Sequence, residues 1–172
     1  MQQLSFNTTG QPVIAPSASS SATDFDFIAG KWQVHNKKLA ARLSNNQQWL
    51  EFTAQQEAWK VLQGIGNIDS FTTTLDGKPF EGMTVRLFNP VTRLWSIYWA
   101  DSNHGKLDAP VTGSFENQVG RFYGRDTWEG QKVLVQFCWD VTNPEHPTWS
   151  QAFSTDNGLT WEWNWYMFLH RE

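Results

Sequence analysis

Near the C-terminal end of the chain Glu162, Asn164 and Tyr166 alternate with Trp161, Trp163 and Trp165. In an extended segment residues two apart share a face, so one side here is polar and ionisable and the other is indole. A carboxylate that meets a second one across a cavity can serve acid–base chemistry, because unlike surroundings separate the two pKa values. Asp126 is the candidate second carboxylate: Phe122, Gly124, Asp126 and Trp128 share one face of "GRFYGRDTW", and the mid-strand glycine suits a tight interior or a bend. Arg86 shares a face with Thr84 and Phe88, opposite the apolar Met83, Val85 and Leu87, and is the natural partner for a ligand carboxylate or a developing anion. Asn36 and Lys38 follow Trp32 and Val34 on one face of "KWQVHNKKL". With Gln136 and Gln151 these residues compose the polar part of an amphipathic pocket, whose apolar part is Trp99, Phe122, Phe153 and Tyr166. Such a lining orients a small, partly apolar molecule by a polar or anionic group.

Two other readings of the same residues stay open. The Trp161, Trp163 and Trp165 ladder can fill the core, which leaves Glu162 and Asn164 in water. Arg86 or Lys38 can instead pair with Asp126 or Glu162 in a buried ionic network that binds nothing. Catalytic motifs of other kinds are missing: there is no Gly-x-Ser-x-Gly elbow, no phosphate-cradling glycine loop and no pair of histidines at metal-ligand spacing. His35, His104, His146 and His170 are scattered, so no metal site is expected, and Cys138, in an apolar segment, reads as a packed thiol.

The elements that must position these residues are strands. The 172 residues suit one domain. Residues 1–23, rich in Ser, Thr, Ala and Pro toward their end, are expected to form an extended or mobile arm, and residues 24–172 the folded domain. "DFDFIAG" predicts a short helical turn with Asp24 as its N-cap and Gly30 as its exit. Beyond it, about ten alternating segments are separated by turn sequences such as "NPVTR", "ENQVG", "EGQK" and "TDNG". Short links make neighbours antiparallel, and no helical segment of crossover length intervenes. The expected fold is therefore all-β, an antiparallel up-and-down β-barrel of about ten strands. The 11 Trp and 12 Phe fit broad sheet faces or an aromatic cavity. With 13 Lys and Arg against 17 Asp and Glu, and no basic run, nucleic acid is not an expected partner. No apolar stretch of membrane-spanning length and no signal-peptide pattern occurs, so the expectation is a cytoplasmic protein.

Gly30-Lys31-Trp32 at the start of the first long strand is similar to the Gly-x-Trp opening of the calycins, the lipocalin and fatty-acid-binding barrels. The wider layout, from "FDFIAGKWQVHNKKL" through "GMTVRLFNPVTRLWSIYW" to "WSQAFSTDNGLTWEWNWYMFLHR", resembles a bacterial calycin-like family of unknown function. The resemblance implies that Trp32 closes the barrel floor and that Arg171 packs over it. A related calycin group, the nitrobindins, binds haem through a histidine near the C-terminus, which would make His170 a haem ligand; that group's further glycine after Gly-x-Trp is missing here, and no cofactor is expected. "STDNGLTW" resembles the Asp-box hairpin of sialidase-like propellers, in which Ser154, Asp156, Gly158 and Trp161 fix a turn. Unrepeated, it implies a clamp between the last two strands and no glycosidase. Three functions follow: small-molecule binding in the cavity, acid–base catalysis there by Asp126 or Glu162, or carbohydrate or partner binding through outward Trp. A homodimer joined through apolar outer patches fits any of them.

Overall fold

The computed structural model describes residues 4–172; the first three residues of the predicted arm lie outside the described residues. Twelve strands follow in chain order: β1 (Ser5–Phe6), β2 (Pro12–Val13), β3 (Gly30–Leu39), β4 (Trp49–Val61), β5 (Gly66–Leu75), β6 (Lys78–Asn89), β7 (Leu94–Asp101), β8 (Val111–Glu116), β9 (Val119–Trp128), β10 (Gln131–Asp140), β11 (Thr148–Ser154) and β12 (Glu162–Arg171). β1 and β2 make a small ribbon, while β3 to β12 form one closed antiparallel barrel in which each strand pairs with its sequence neighbours and β12 returns to β3. Closure leaves no unpaired edge in the large sheet. Among the described residues no helix is long and apolar enough to cross a membrane.

Local sequence explains the register. Asp76-Gly77, Asn117-Gln118 and Glu129-Gly130 each take positive φ at both positions. They join strand pairs whose flanking residues face each other directly, as tight two-residue hairpins require. At "NPVTR" the Asn89 side chain accepts hydrogen bonds from the Val91 and Thr92 amides, and the Arg93 amide closes onto the Asn89 carbonyl.

One end of the barrel is plugged. A 3₁₀ turn at Asp26–Ile28 carries Phe25 and Ile28 into the floor, where Phe25 packs edge-on to Trp95, Phe115 and Trp139 and stacks with Phe122. Trp32 is fully buried and donates its Nε1–H to the Ile28 carbonyl at 2.7 Å. The Arg171 guanidinium lies 4.1 Å from the Trp32 ring centre and donates to the Ala29 and Phe27 carbonyls. Asp24 does not cap the turn as the sequence predicts. Its carboxylate accepts from the Ser21 amide and hydroxyl, one turn earlier, because the chain enters the floor through a tight corner from Ser21 to Asp24.

The stretch expected as an extended or mobile arm runs along the barrel wall and is tied to it. Ser17 bonds to Ser114 and to the Phe115 carbonyl, the Ser20 hydroxyl donates to the Arg93 carbonyl, and Arg125 reaches the Gly10 carbonyl and lies over the Phe6 ring. These contacts are polar, as suits a segment too poor in apolar side chains to build a core of its own.

Candidate functional site

Above the aromatic floor the barrel keeps a cavity of about 510 Å³ that opens at the end opposite the plug, where β3 ends and β4 begins. Its base is an ion pair that the sequence reading did not contain. Arg86 Nη1 lies 2.6 Å from Asp69 Oδ2, with side chains only 4% and 1% exposed. Asp69 also accepts from Gln56 Nε2 and from the Thr84 amide, and Arg86 Nη1 donates to Asn67 Oδ1 at 2.9 Å. The guanidinium sits over Phe25 and Trp139, so the dry floor stacks against its faces. Arg86 therefore lines the cavity with its charge already neutralised.

The unneutralised cations stand higher, on the wall near the mouth. Arg42, in the connection after β3, places its guanidinium 4.6 Å from the Trp128 ring, 5.3 Å from Phe153 and 5.7 Å from Trp165. Its Nε and Nη2 are buried with no acceptor. Lys38 Nζ lies 4.6 Å over the Trp165 ring. Among the described residues neither has a carboxylate within ion-pairing distance. Burial, followed by the positive charge of Arg42, pushes Lys38 down to about 8, and Asp101 pulls weakly the other way. Burial likewise pushes Arg42 down to about 10, against the attraction of Glu162. The aromatic faces recover part of the lost hydration of each cation.

At the mouth, burial opposes the Asp101 charge. Hydrogen bonds from the His104 side chain, the Asn103 and His104 amides and the Trp99 indole outweigh it and hold the carboxyl below its ordinary value. Asp108 is pushed up, first by burial and then by Asp126. Trp99 lies over the neighbouring strand because Gly82 there has no side chain: a Cβ at that position would fall 2.0 Å from the indole. Gly82→Ala is accordingly expected to destabilise the fold by about 1–3 kcal/mol and to shift Trp emission, read by urea denaturation followed by fluorescence.

Of the residues singled out in the sequence, the structure brings Lys38, Arg86, Trp99, Asp126, Gln151 and Phe153 to one cavity. Asp126 is at the rim and exposed, its carboxylate accepting from the adjacent Thr127 amide, where a position deep in the cavity was expected. Asn36 is fully buried in the wall, bridging the Trp165 indole and the Val34 carbonyl, and Phe122 belongs to the plug. Gln136 and Tyr166 point away from the cavity. Gln136 pairs with Tyr123 and Ala152, one residue out of phase with the inward Val135 and Phe137. Tyr166 stacks on Trp163 and Phe168 and lies tilted against Trp49 along the outer surface.

The cause of the Tyr166 placement is a β-bulge. Gln151 faces Trp165 and Ala152 faces Trp163, so Asn164 is an extra residue on β12. Beyond it the alternation reverses: Trp165, Met167, Leu169 and Arg171 follow the inward face, while Trp163 lies with Tyr166 on the outer one. Neither a continuous Trp ladder in the core nor a continuous polar face in the cavity survives this phase change. Asn164 is fully buried, its Oδ1 accepting from Gln151 Nε2 at 2.8 Å and its Nδ2 without a partner. Glu162 does not line the cavity. Both its oxygens accept the Leu43 amide at 2.9 Å, which latches the connection bearing Arg42. Asp126 and Glu162 thus do not share a site. His170 is exposed on the outer face, 3.1 Å from His146 between Nδ1 atoms, and is not a cavity residue.

At the turn Ser154–Trp161, Ser154 Oγ donates to Asp156 and accepts from the Gly158 amide. Asp156 takes both the Thr160 amide and its hydroxyl, and these bonds hold its carboxyl down at about 2. Trp161 lies over Gly158 and beside Tyr123 on the outer wall. The hairpin is a clamp outside the cavity.

The sequence reading missed Arg42, Asp69, Gln56 and Asp101. Asp69 was discoverable in principle, since it shares a face with Asn67 and Phe71 and its strand must pair with the one that carries Arg86. No protein-family model matches the chain, and no curated protein matches it in sequence. A solved structure it is similar to is the S-type phycobiliprotein lyase CPES from Guillardia theta, with a TM-score of 0.57 and 12% identity over 90% of this chain and 94% of that one. The likeness shows the fold: an all-β, closed ten-strand antiparallel barrel of the lipocalin and calycin kind.

Proposed function

We propose that the chain binds one small molecule in the barrel cavity, a ligand with an apolar, ring-bearing body and a polar or anionic group that meets the wall formed by Arg42 and Lys38. The observation that carries this reading is the pairing of a roughly 510 Å³ aromatic cavity with two wall cations that have no carboxylate within ion-pairing distance among the described residues. Cavities of this size suit drug-sized ligands, and a desolvated guanidinium short of acceptors favours an anion that supplies them. Similarity to a phycobiliprotein lyase supports the use of such a barrel but, at 12% identity, lends no chemistry. Acid–base catalysis by Asp126 and Glu162 is less favoured, because only Asp126 reaches the cavity and it is hydrated at the rim.

The test is a Trp-fluorescence titration with 2-naphthoate and with its neutral analogue 2-naphthylmethanol. Both are expected to quench saturably, the acid about tenfold more tightly at low salt. Arg42→Met should level the two, and Val135→Trp, which fills the interior, should abolish both responses while leaving the circular dichroism of the barrel intact. Absence of saturable quenching in the wild type would refute the reading.

A further inference from the structure

Lys38 differs in its surroundings from an ordinary surface lysine. Its amine stands on the cavity wall over the Trp165 indole, has no hydrogen-bond or ion-pair partner among the described residues, and shares that wall with the equally unneutralised Arg42. Lys60, by contrast, is ion-paired with Asp26 at 2.7 Å, and Lys37 lies over Trp49 on the outer surface. A carboxylate paired with Lys38 would fix it as an ammonium ion; among the described residues none lies within ion-pairing distance, and Asp101 attracts the amine only from beyond it. Removal from water and a neighbouring cation both favour the neutral amine, which is the nucleophilic form.

We propose that Lys38 condenses reversibly with an aldehyde or ketone group of a ligand seated in the cavity, forming an imine at Nζ. The step balances without any oxidant or reductant. The Nζ lone pair bonds to the carbonyl carbon, and the carbonyl π pair moves to oxygen, which takes a proton while nitrogen releases one. The carbinolamine hydroxyl takes a proton and leaves as water while the nitrogen lone pair becomes the second C–N bond, and the resulting iminium nitrogen releases its remaining proton to give the imine. The open mouth supplies and removes the protons and the water. The aromatic walls around Lys38 hold the apolar body of such a ligand. The proposal rests on the reading of the cavity as a small-molecule site and adds the class of ligand and a covalent bond.

The experiment uses the full chain with 2-naphthaldehyde and sodium cyanoborohydride at neutral pH. Intact mass counts the reduced adducts, and peptide mapping locates them. Lys38 is expected to be modified roughly tenfold or more faster than Lys106 at the mouth or Lys60 on the outer surface. One adduct should form per chain, 2-naphthylmethanol should slow it by competition, and Lys38→Arg should remove it. Modification spread evenly over the lysines, while 2-naphthylmethanol still quenches Trp emission, overturns the imine and leaves the cavity reading standing. Loss of both Lys38 selectivity and quenching overturns both.

Discussion

Asp69→Ala is expected to destabilise the barrel by about 3–5 kcal/mol, the largest single effect among polar positions, because it strands a buried guanidinium. Arg86 meets little water even at the base of the cavity: its side chain is 4% exposed, its Nη1 is shared between Asp69 and Asn67, and its Nε already lacks an acceptor. Removing Asp69 also leaves the Gln56 amide and the Thr84 N–H without their acceptor. The double variant Asp69→Leu with Arg86→Met should recover most of the loss, since neither half-pair is then left charged in the dry floor. Urea denaturation of the wild type, Asp69→Leu, Arg86→Met and the double variant gives the coupling energy directly. A cost below about 1 kcal/mol for Asp69→Ala would mean that water enters the floor and solvates Arg86. Arg86→Ala is accordingly a poor probe of ligand binding, because it disturbs the fold before it disturbs the site.

The architecture was legible because it depends on local rules that the sequence states openly. Period-two alternation marks strands, and Asp76-Gly77, Asn117-Gln118 and Glu129-Gly130 accept the positive φ of tight hairpins, which set antiparallel order and hence an up-and-down closure. Gly30, Trp32 and Arg171 similarly cohere as a closed floor. The site was less legible because it depends on phase. One inserted residue at Asn164 turns Trp165 inward and Tyr166 outward, and nothing in "LTWEWNWYMFLH" distinguishes a bulged strand from a regular one. The same limit applies to Gln136: it is buried, as its apolar surroundings suggest, but among the residues of the outer wall. Arg42 escaped for a different reason. It lies past the end of β3, where no periodicity constrains a side chain, and it is brought to the mouth by the latch between Glu162 and the Leu43 amide, a contact 119 residues apart in the chain.

Lys38→Met is expected to stabilise the protein at pH 7, by as much as about 2–3 kcal/mol, with the gain fading as the pH rises. In the fold Lys38 is held at about 8, below the usual lysine value of 10.5, chiefly by burial and then by Arg42. Below pH 8 both folded and unfolded chains carry the proton, so the folded state bears the full cost of a poorly hydrated charge. Between 8 and 10.5 the unfolded chain binds more protons than the folded one, and the wild type therefore gains stability with rising pH through that window. Above it the amine is neutral in both states and the penalty is gone. Tyr123 and Tyr166 also titrate at alkaline pH, so the informative quantity is the difference between wild type and variant, in which their contributions cancel. Urea denaturation at pH 7 and near pH 10 measures it; a difference that does not change with pH would show that Lys38 keeps its water and its ordinary charge. A methionine occupies the same volume without the cation, so a stability gain would mean that the wild type keeps the amine at a cost to its fold. That cost is intelligible when the cavity receives a molecule that needs the amine, which makes this stability measurement an independent check on the Lys38 chemistry.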